Sequence, residues 1–389
     1  MDNHKKVPSI RFKGFTNDWE QYKLSDIVTI SKGTQINRAN LYNYGKYYVL
    51  NGGMTPSGYT NTFNTKANTI SVSEGGNSCG FVAYNTVDFW SGGHNYTLLH
   101  PKINVKFLYQ YLKQQEAKIM ALRVGSGLPN IQKNRLSVVL ISVPNVHEQK
   151  IVSDFLFYID NLITLHQQKH DKLLNIKKAM LKKMFPKEGE KVPEIRFKGF
   201  SDDWEQHKLG DMIEYIVDNR GKNPRYYCTE GIPVIDNYMI KNTLYPEINT
   251  ANRFIDEGLF ESFIRKYNEK DDVLITLVGN GIGNVTLFPD DKAVIIQNTL
   301  GLRAKDDKRF LLFLLMAYNK KLVALDRGMA QPSIRQDELL DLDIYVPDGE
   351  EQTKIGMYFV NLDNLSTLHQ RKIEKLKNIK KAMLEKMFV

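Results

Sequence analysis

The sequence predicts an α+β protein: two mixed α/β domains separated by two long helices that form an antiparallel coiled coil, with an internal pseudo-twofold repeat. Three observations predict it. A segment near the start returns in mid-chain. Of the twenty positions 7–26, fifteen are identical to those 185 residues later. A long helical pattern returns with it. From Asp160 to Phe185, twenty of twenty-six positions match those 203 residues later. Finally, apolar residues in both helical stretches recur at a/d heptad spacing, the signature of helices that pack along a seam.

In chain order, residues 1–143 make the first domain. It opens on Val7-Pro8-Ser9-Ile10-Arg11-Phe12-Lys13-Gly14-Phe15 and the Trp19-Glu20-Gln21 that follows. Thr69–Ser73 alternates as a strand and runs into a glycine turn, Gly75-Gly76-Asn77-Ser78-Cys79-Gly80. Phe107–Leu122 has helical period, and Val138–Val143 is a short strand that delivers the chain to Pro144. Residues 144–185 form the first long helix. No Gly or Pro interrupts it before Pro186, so Glu148 to Met184 makes a rod of roughly 55 Å. Its seam is Val152, Phe155, Ile159, Leu162, His166, Leu173, Ile176 and Met180, with Lys169 completing a polar layer beside His166. Residues 186–191 are a polar linker.

Residues 192–346 make the second domain, opening on Val192-Pro193-Glu194-Ile195-Arg196-Phe197-Lys198-Gly199-Phe200 and then Trp204-Glu205-Gln206. Val273–Leu277 reads as a strand before the turn Gly279-Asn280-Gly281-Ile282-Gly283, Arg309–Leu325 as a helix and Leu342–Val346 as a strand. Residues 347–389 form the second long helix, expected to run to Val389. Its seam is Ile355, Tyr358, Leu362, Leu365, His369, Leu376, Ile379 and Met383, with Lys372 in its polar layer. Burying one such side chain is worth ~1.5–3 kcal/mol, and the nearest partner for one seam is the other. The polar layers fix register, with His neutral or Lys partly exposed. The change of offset from 185 to 203 puts about eighteen extra residues into the second domain, before its glycine turn. The matching window of the first domain is roughly 28–70. A shared frame with different inserts is how one scaffold presents two recognition surfaces.

Composition bounds the function. A hydrophobic share of 42% and an aromatic share of 11% suit globular domains with real cores. No run of ~18 apolar residues suggests a membrane span, and the N-terminus lacks the apolar stretch of a signal peptide. Two cysteines, one in each half, fit a reducing cytoplasm. A net charge of +9 favours a polyanionic partner.

No catalytic or metal-binding constellation emerges. Gly45-Lys46 and Gly221-Lys222 lack the spacing and hydroxyl of a phosphate loop, and neither glycine turn has the dinucleotide pattern. His166 and His170 are spaced like zinc ligands, but Gln167 replaces the needed Glu and Ile373 replaces His170 in the second copy. Asn223-Pro224-Arg225-Tyr226 departs from the Asn-Pro-Pro-Tyr of adenine methyltransferases at Arg225, and Pro289-Asp290-Asp291-Lys292 is an ordinary loop. The variable windows instead mix basic, amide and aromatic residues. The candidate DNA contacts are Lys32, Gln35, Asn37, Arg38 and Lys46 in the first. In the second they are Arg220, Lys222, Asn223, Arg225, Tyr238, Lys241 and Asn242. Arg and Lys grip phosphate or read guanine, and Asn and Gln pair with adenine.

The doubled Ile-Arg-Phe-Lys-Gly-Phe…Trp-Glu-Gln segment resembles the specificity subunits of type I restriction-modification systems. So do the Pro…Glu-Gln opening of each long helix and its Lys-Lys-Ala-Met-Leu…Lys-Met-Phe end. The resemblance covers Val7 to Phe388. It implies two target recognition domains that each read one part of a split double-stranded DNA target, held by a coiled-coil spacer whose length sets the gap. It also implies a chain that is not itself an enzyme. Two modification (methyltransferase) subunits would bind it and methylate adenine with S-adenosylmethionine. Restriction/translocase subunits would add ATP and Mg chemistry, all in the cytoplasm. The competing reading is a two-headed adaptor or glycan-binding scaffold with a coiled-coil spacer. It is distinguished by flat rather than steep salt dependence of binding.

Overall fold

A computed structural model describes residues 7–125, 127, 129–222, 224–264, 267–328 and 331–389. The two long helices are Val146–Lys183 and Gly349–Met387. At 1.5 Å per residue each is just under 60 Å long. The second stops at Met387, short of the expected Val389, because Phe388 turns out of the helix into the core of its unit.

Two compact units divide the chain: Met1–His166 with Lys372–Val389, and Gln167–Arg371. The helices are thus not a third body. Each unit takes part of both.

Each unit contains a four-stranded antiparallel sheet of the same order. In the first it runs Thr29–Lys32, Asn95–Leu99, Thr69–Ser73, Val82–Asn85. In the second it runs Ile213–Asp218, Thr299–Ala304, Val273–Thr276, Val285–Leu287. Trp19 and Trp204 lead into short strands, Glu20–Lys23 and Glu205–Lys208. These pair with Leu140–Val143 and Asp343–Val346, the strands that feed the long helices. The single helices expected over 107–122 and 309–325 are each two: Val105–Gln114 then Glu116–Ala121, and Lys308–Ala317 then Asn319–Ala324. Gln115 and Tyr318 break them at ψ near 0°.

The variable windows fold differently. In the first unit, Tyr47–Leu50 pairs with Gly58–Thr60 and, in parallel, with Trp90–Ser91. In the second, Ile232–Pro233 pairs with Phe254–Ile255, and a helix, Glu257–Phe263, follows.

The repeated motifs prove to be two ends of one clamp. Arg11 donates to both carboxylate oxygens of Glu148 at 2.8 and 2.6 Å, and Arg196 to those of Glu351 at 2.9 and 2.7 Å. Both glutamates are fully buried in the first turn of their helices. Asn145 and Asp348 accept from the backbone N–H groups of Glu148 and Glu351, as N-caps should. The adjoining Gln149 and Gln352 donate to the carbonyls of Pro144 and Pro347. The Ile-Arg-Phe segment and the Pro…Glu-Gln opening therefore repeat together because one holds the other.

Within each unit the helix segments run antiparallel. In the first unit, Val152 and Leu156 share a core with Met387 and Phe388, while Asp160 takes the ammonium of Lys380 at 2.6 Å. In the second, Phe185 stacks on Phe359 with ring centroids 6.0 Å apart, while Lys177 meets Asp363 at 2.8 Å. By the 203-residue offset, Asp160 corresponds to Asp363 and Lys177 to Lys380. The same ion pair is made twice with the helices exchanged.

Most of the expected seam positions turn inward, but the middle of the second helix departs. Leu365 is 47% exposed, whereas Ser366 and Ile373 are buried, and Lys169 and Lys372 face solvent. Burial moves one residue on, from 365 to 366 and from 372 to 373. A straight helix at 3.6 residues per turn lags a strict seven-residue repeat by ~20° per heptad, so two heptads of drift cover less than half of that ~100° step.

Candidate nucleic-acid interface

In the first unit the chain leaves Thr29–Lys32 and runs from Gly33 to Lys46 mostly exposed. Gly33 passes so close to Ser91 and Gly92 that a Cβ there would lie 2.2 Å from the Gly92 carbonyl oxygen. This fixes where the loop starts. Asn37 caps the short turn Arg38–Asn40 by accepting from the Ala39 N–H at 3.0 Å, so its amide oxygen is committed to the loop. Arg38 and Lys46 are exposed, and Tyr44 is 89% exposed. The Lys46 ammonium sits 5.3 Å from the Tyr47 ring centroid, the distance of a cation–π contact. Gln35 is exposed beside Gly93.

Lys32 reaches back to Glu74 at 2.7 Å, which also accepts from the Tyr96 hydroxyl at 3.0 Å. Burial, with help from that carboxylate, pushes the Tyr96 phenol up to about 12. This network anchors the glycine turn, whose Asn77 is exposed.

In the second unit Arg220 is not a free cation. It forks onto Asp218 at 2.9 and 2.8 Å and also donates to Gln336. The Asp218 hydrogen bonds hold its guanidinium pKa above the usual value. Lys222 is half-buried, and Asn223 lies outside the described residues. Arg225 and Lys241 are exposed. The Tyr238 hydroxyl donates to the Thr250 carbonyl at 2.7 Å and leaves the ring 42% exposed. Asn242 stands at φ +57°, with its amide used at both ends: it donates to Asn284 and accepts from the Val285 N–H. Asn242 therefore holds the turn and has little left for a base.

Of these candidates Tyr238 also lines a wider feature that the sequence does not announce. Asn237, Tyr238, Asn252, Arg253, Asn280 and Asn298 ring a shallow basin of about 430 Å³. Arg253 is fixed there by two bonds to Asp236, which hold its pKa above the usual value, and its guanidinium lies 4.6 Å over the Tyr227 ring. Asn237 donates to the Val278 carbonyl at 2.6 Å. Gly279 sits at φ +88°, and a Cβ there would meet the amide nitrogens of Asn237 and Gln331 at 3.3 Å. The turn glycine is thus required for close approach, and it presents exposed Asn280 at the rim. These residues come from four separate stretches, so no local motif announces them. The repeated Asn of the two glycine turns, Asn77 and Asn280, was the one visible signal.

Both glycine turns join strand to strand, Thr69–Ser73 to Val82–Asn85 and Val273–Thr276 to Val285–Leu287. They open no helix, so they lack the helix N-terminus with which glycine loops hold cofactor phosphates. Among the described residues no group of three His, Cys, Asp or Glu could hold a metal ion, and no helix is long and apolar enough to cross a membrane.

Two units of one fold, each with its own polar and basic loops, define a duplicated recognition protein, and comparison with known proteins agrees. The type I restriction modification DNA specificity domain matches twice, over residues 16–175 and 201–378. The chain belongs to this family, as a DNA sequence-specificity subunit of a type I restriction-modification system. It is 27% identical over 295 residues to the type I restriction enzyme MjaVIII specificity subunit of Methanocaldococcus jannaschii, covering 72% of this chain and 68% of that one. It is 35% identical over 158 residues to a putative type I specificity subunit of Mycoplasma pneumoniae, covering 40% and 42%. The crystal structure of the type I restriction-modification system S subunit from M. genitalium shares the fold. The TM-score is 0.76 at 21% identity, over 98% of this chain and 99% of that one.

Proposed function

We propose that each half reads one part of a bipartite double-stranded DNA target and that the chain itself performs no chemistry. Two modification subunits would methylate adenine at the site it selects, and restriction subunits would join them. S-adenosylmethionine, ATP and Mg²⁺ are assigned to those partners. The observation that carries this reading is the pairing of one repeated frame with two unlike loop sets. The four-stranded sheets share an order, while the windows over residues 28–70 and their counterpart differ in strands, helices and exposed side chains. A frame duplicated for stability alone would leave no reason for the surfaces to diverge. Exposed Arg38, Lys46, Arg225 and Lys241 supply cations for phosphate.

The test is selection from a random duplex DNA library by the full chain with its modification partner. A motif of two parts with unread base pairs between is expected. One contiguous motif, or none, refutes the proposal. Exchanging residues 30–140 for those of another family member changes one part only.

A further inference from the structure

We infer that the basin of Asn252, Arg253, Asn280 and Asn298 is the base-reading point of the second half, taking the major-groove edge of a base pair that contains adenine. This rests on the function proposed above and deepens it. Asn252 and Asn280 are exposed and Asn298 is half-exposed, and none of the three side-chain amides is hydrogen-bonded among the described residues. Each keeps one acceptor and two donors. That is the set which pairs bidentately with adenine, accepting from N6 and donating to N7.

Arg253 is built differently. Asp236 takes its Nε and one terminal nitrogen, and the Tyr227 ring lies against the guanidinium, so this side chain of the basin's lining is held in a single orientation. A fork fixed in advance by a carboxylate loses little freedom when it meets a guanine or a phosphate. The backbone carrying the basin is equally set. Asn237 ties the short turn Asn237–Met239 to Val278, and Gly279 admits the close contact. Free polar side chains on fixed backbone are what direct readout needs. The first unit differs at the corresponding place: its glycine turn is faced by the Lys32–Glu74 pair, so the two halves offer different chemistry.

The experiment is the same library selection with Asn252→Ala and Asn280→Ala chains in complex with the modification partner. Thermal melting confirms that both fold; neither side chain makes a hydrogen bond within the described residues, so both should melt with the wild type. A lost bidentate pair should cut the preference for one A·T pair about 5- to 150-fold, in one part of the motif only. An unchanged motif in both variants overturns the inference and leaves the functional reading standing. A uniform loss of affinity at every sequence also overturns it, because that marks a phosphate contact. A wild-type chain that selects no motif overturns the functional reading itself, and this inference with it.

Discussion

Replacing Arg196 by alanine should open the second unit from the base of its long helix. The Glu351 carboxylate is fully buried and is held by two bonds from Arg196 and one, at 3.2 Å, from the Trp204 indole N–H. Without the guanidinium only the indole contact remains among the described residues, and a buried charge stays uncompensated. Breaking such a pair from one side costs 3–5 kcal/mol. Arg196 itself is 13% exposed, so water enters from its side once it is gone, and the lower end applies: about 3 kcal/mol. Glu351→Gln should cost less, because it leaves the partly exposed guanidinium able to turn to solvent. Replacing Arg196 and Glu351 together by methionine should recover most of the loss, since no buried charge is then orphaned. The chain has two units, so one unfolding midpoint would blur the effect. Native-state hydrogen exchange resolves it: amides of Glu205–Lys208, Asp343–Val346 and the first turns of Gly349–Met387 should exchange roughly 150-fold faster by global opening. Protection reduced by less than about 1 kcal/mol in Arg196→Ala would refute the clamp as a stabilising element.

Two further outcomes follow from the structure. Burial raises the Asp363 carboxyl above its ordinary value even though Lys177 opposes the shift. The folded state therefore holds that proton when the unfolded chain has released it, and this group's contribution to stability falls as pH rises from about 4 toward the folded value. Asp363→Asn should flatten that part of the stability–pH curve of the second unit, read from native-state hydrogen exchange of its own amides; an unchanged slope refutes it. Arg38→Ala and Lys46→Ala should each weaken binding of every sequence alike and reduce the salt slope of log K by about 1, measured by fluorescence anisotropy. A changed motif with unchanged slope would make them base readers instead.

The repeat, the long helices, the heptad seam and the strands before each glycine turn were legible because they depend on periodicity and on residues near one another in sequence. The clamp was visible only as two repeated motifs, and their joining through Arg11–Glu148 and Arg196–Glu351 required the fold. The seam was misplaced at Leu365, where burial falls on Ser366 instead, a step that helical drift covers only in part. Among the candidate DNA contacts, residue type could not separate Arg225 and Lys241, which are exposed, from Arg220, Asn37 and Asn242, whose polar groups hold their own loops. Of the Asn–Arg basin only Tyr238 was a candidate, since tertiary structure gathers the rest from stretches around 237, 252, 280 and 298.

The core of the first unit is closed by Met387 and Phe388, with Phe388 set edge-on against Trp19 at 6.2 Å and against Tyr111 at 5.6 Å. Those residues are synthesised long after the strands they cover. Chains emerge from the ribosome at ~5–20 residues per second, and domains ordinarily finish in order of synthesis. Here the first unit must wait, its aromatic cleft open, until residues 372–389 arrive. A nascent chain halted anywhere in the second half would carry that exposed apolar surface. Only a chain made through Phe388 can close both of its cores.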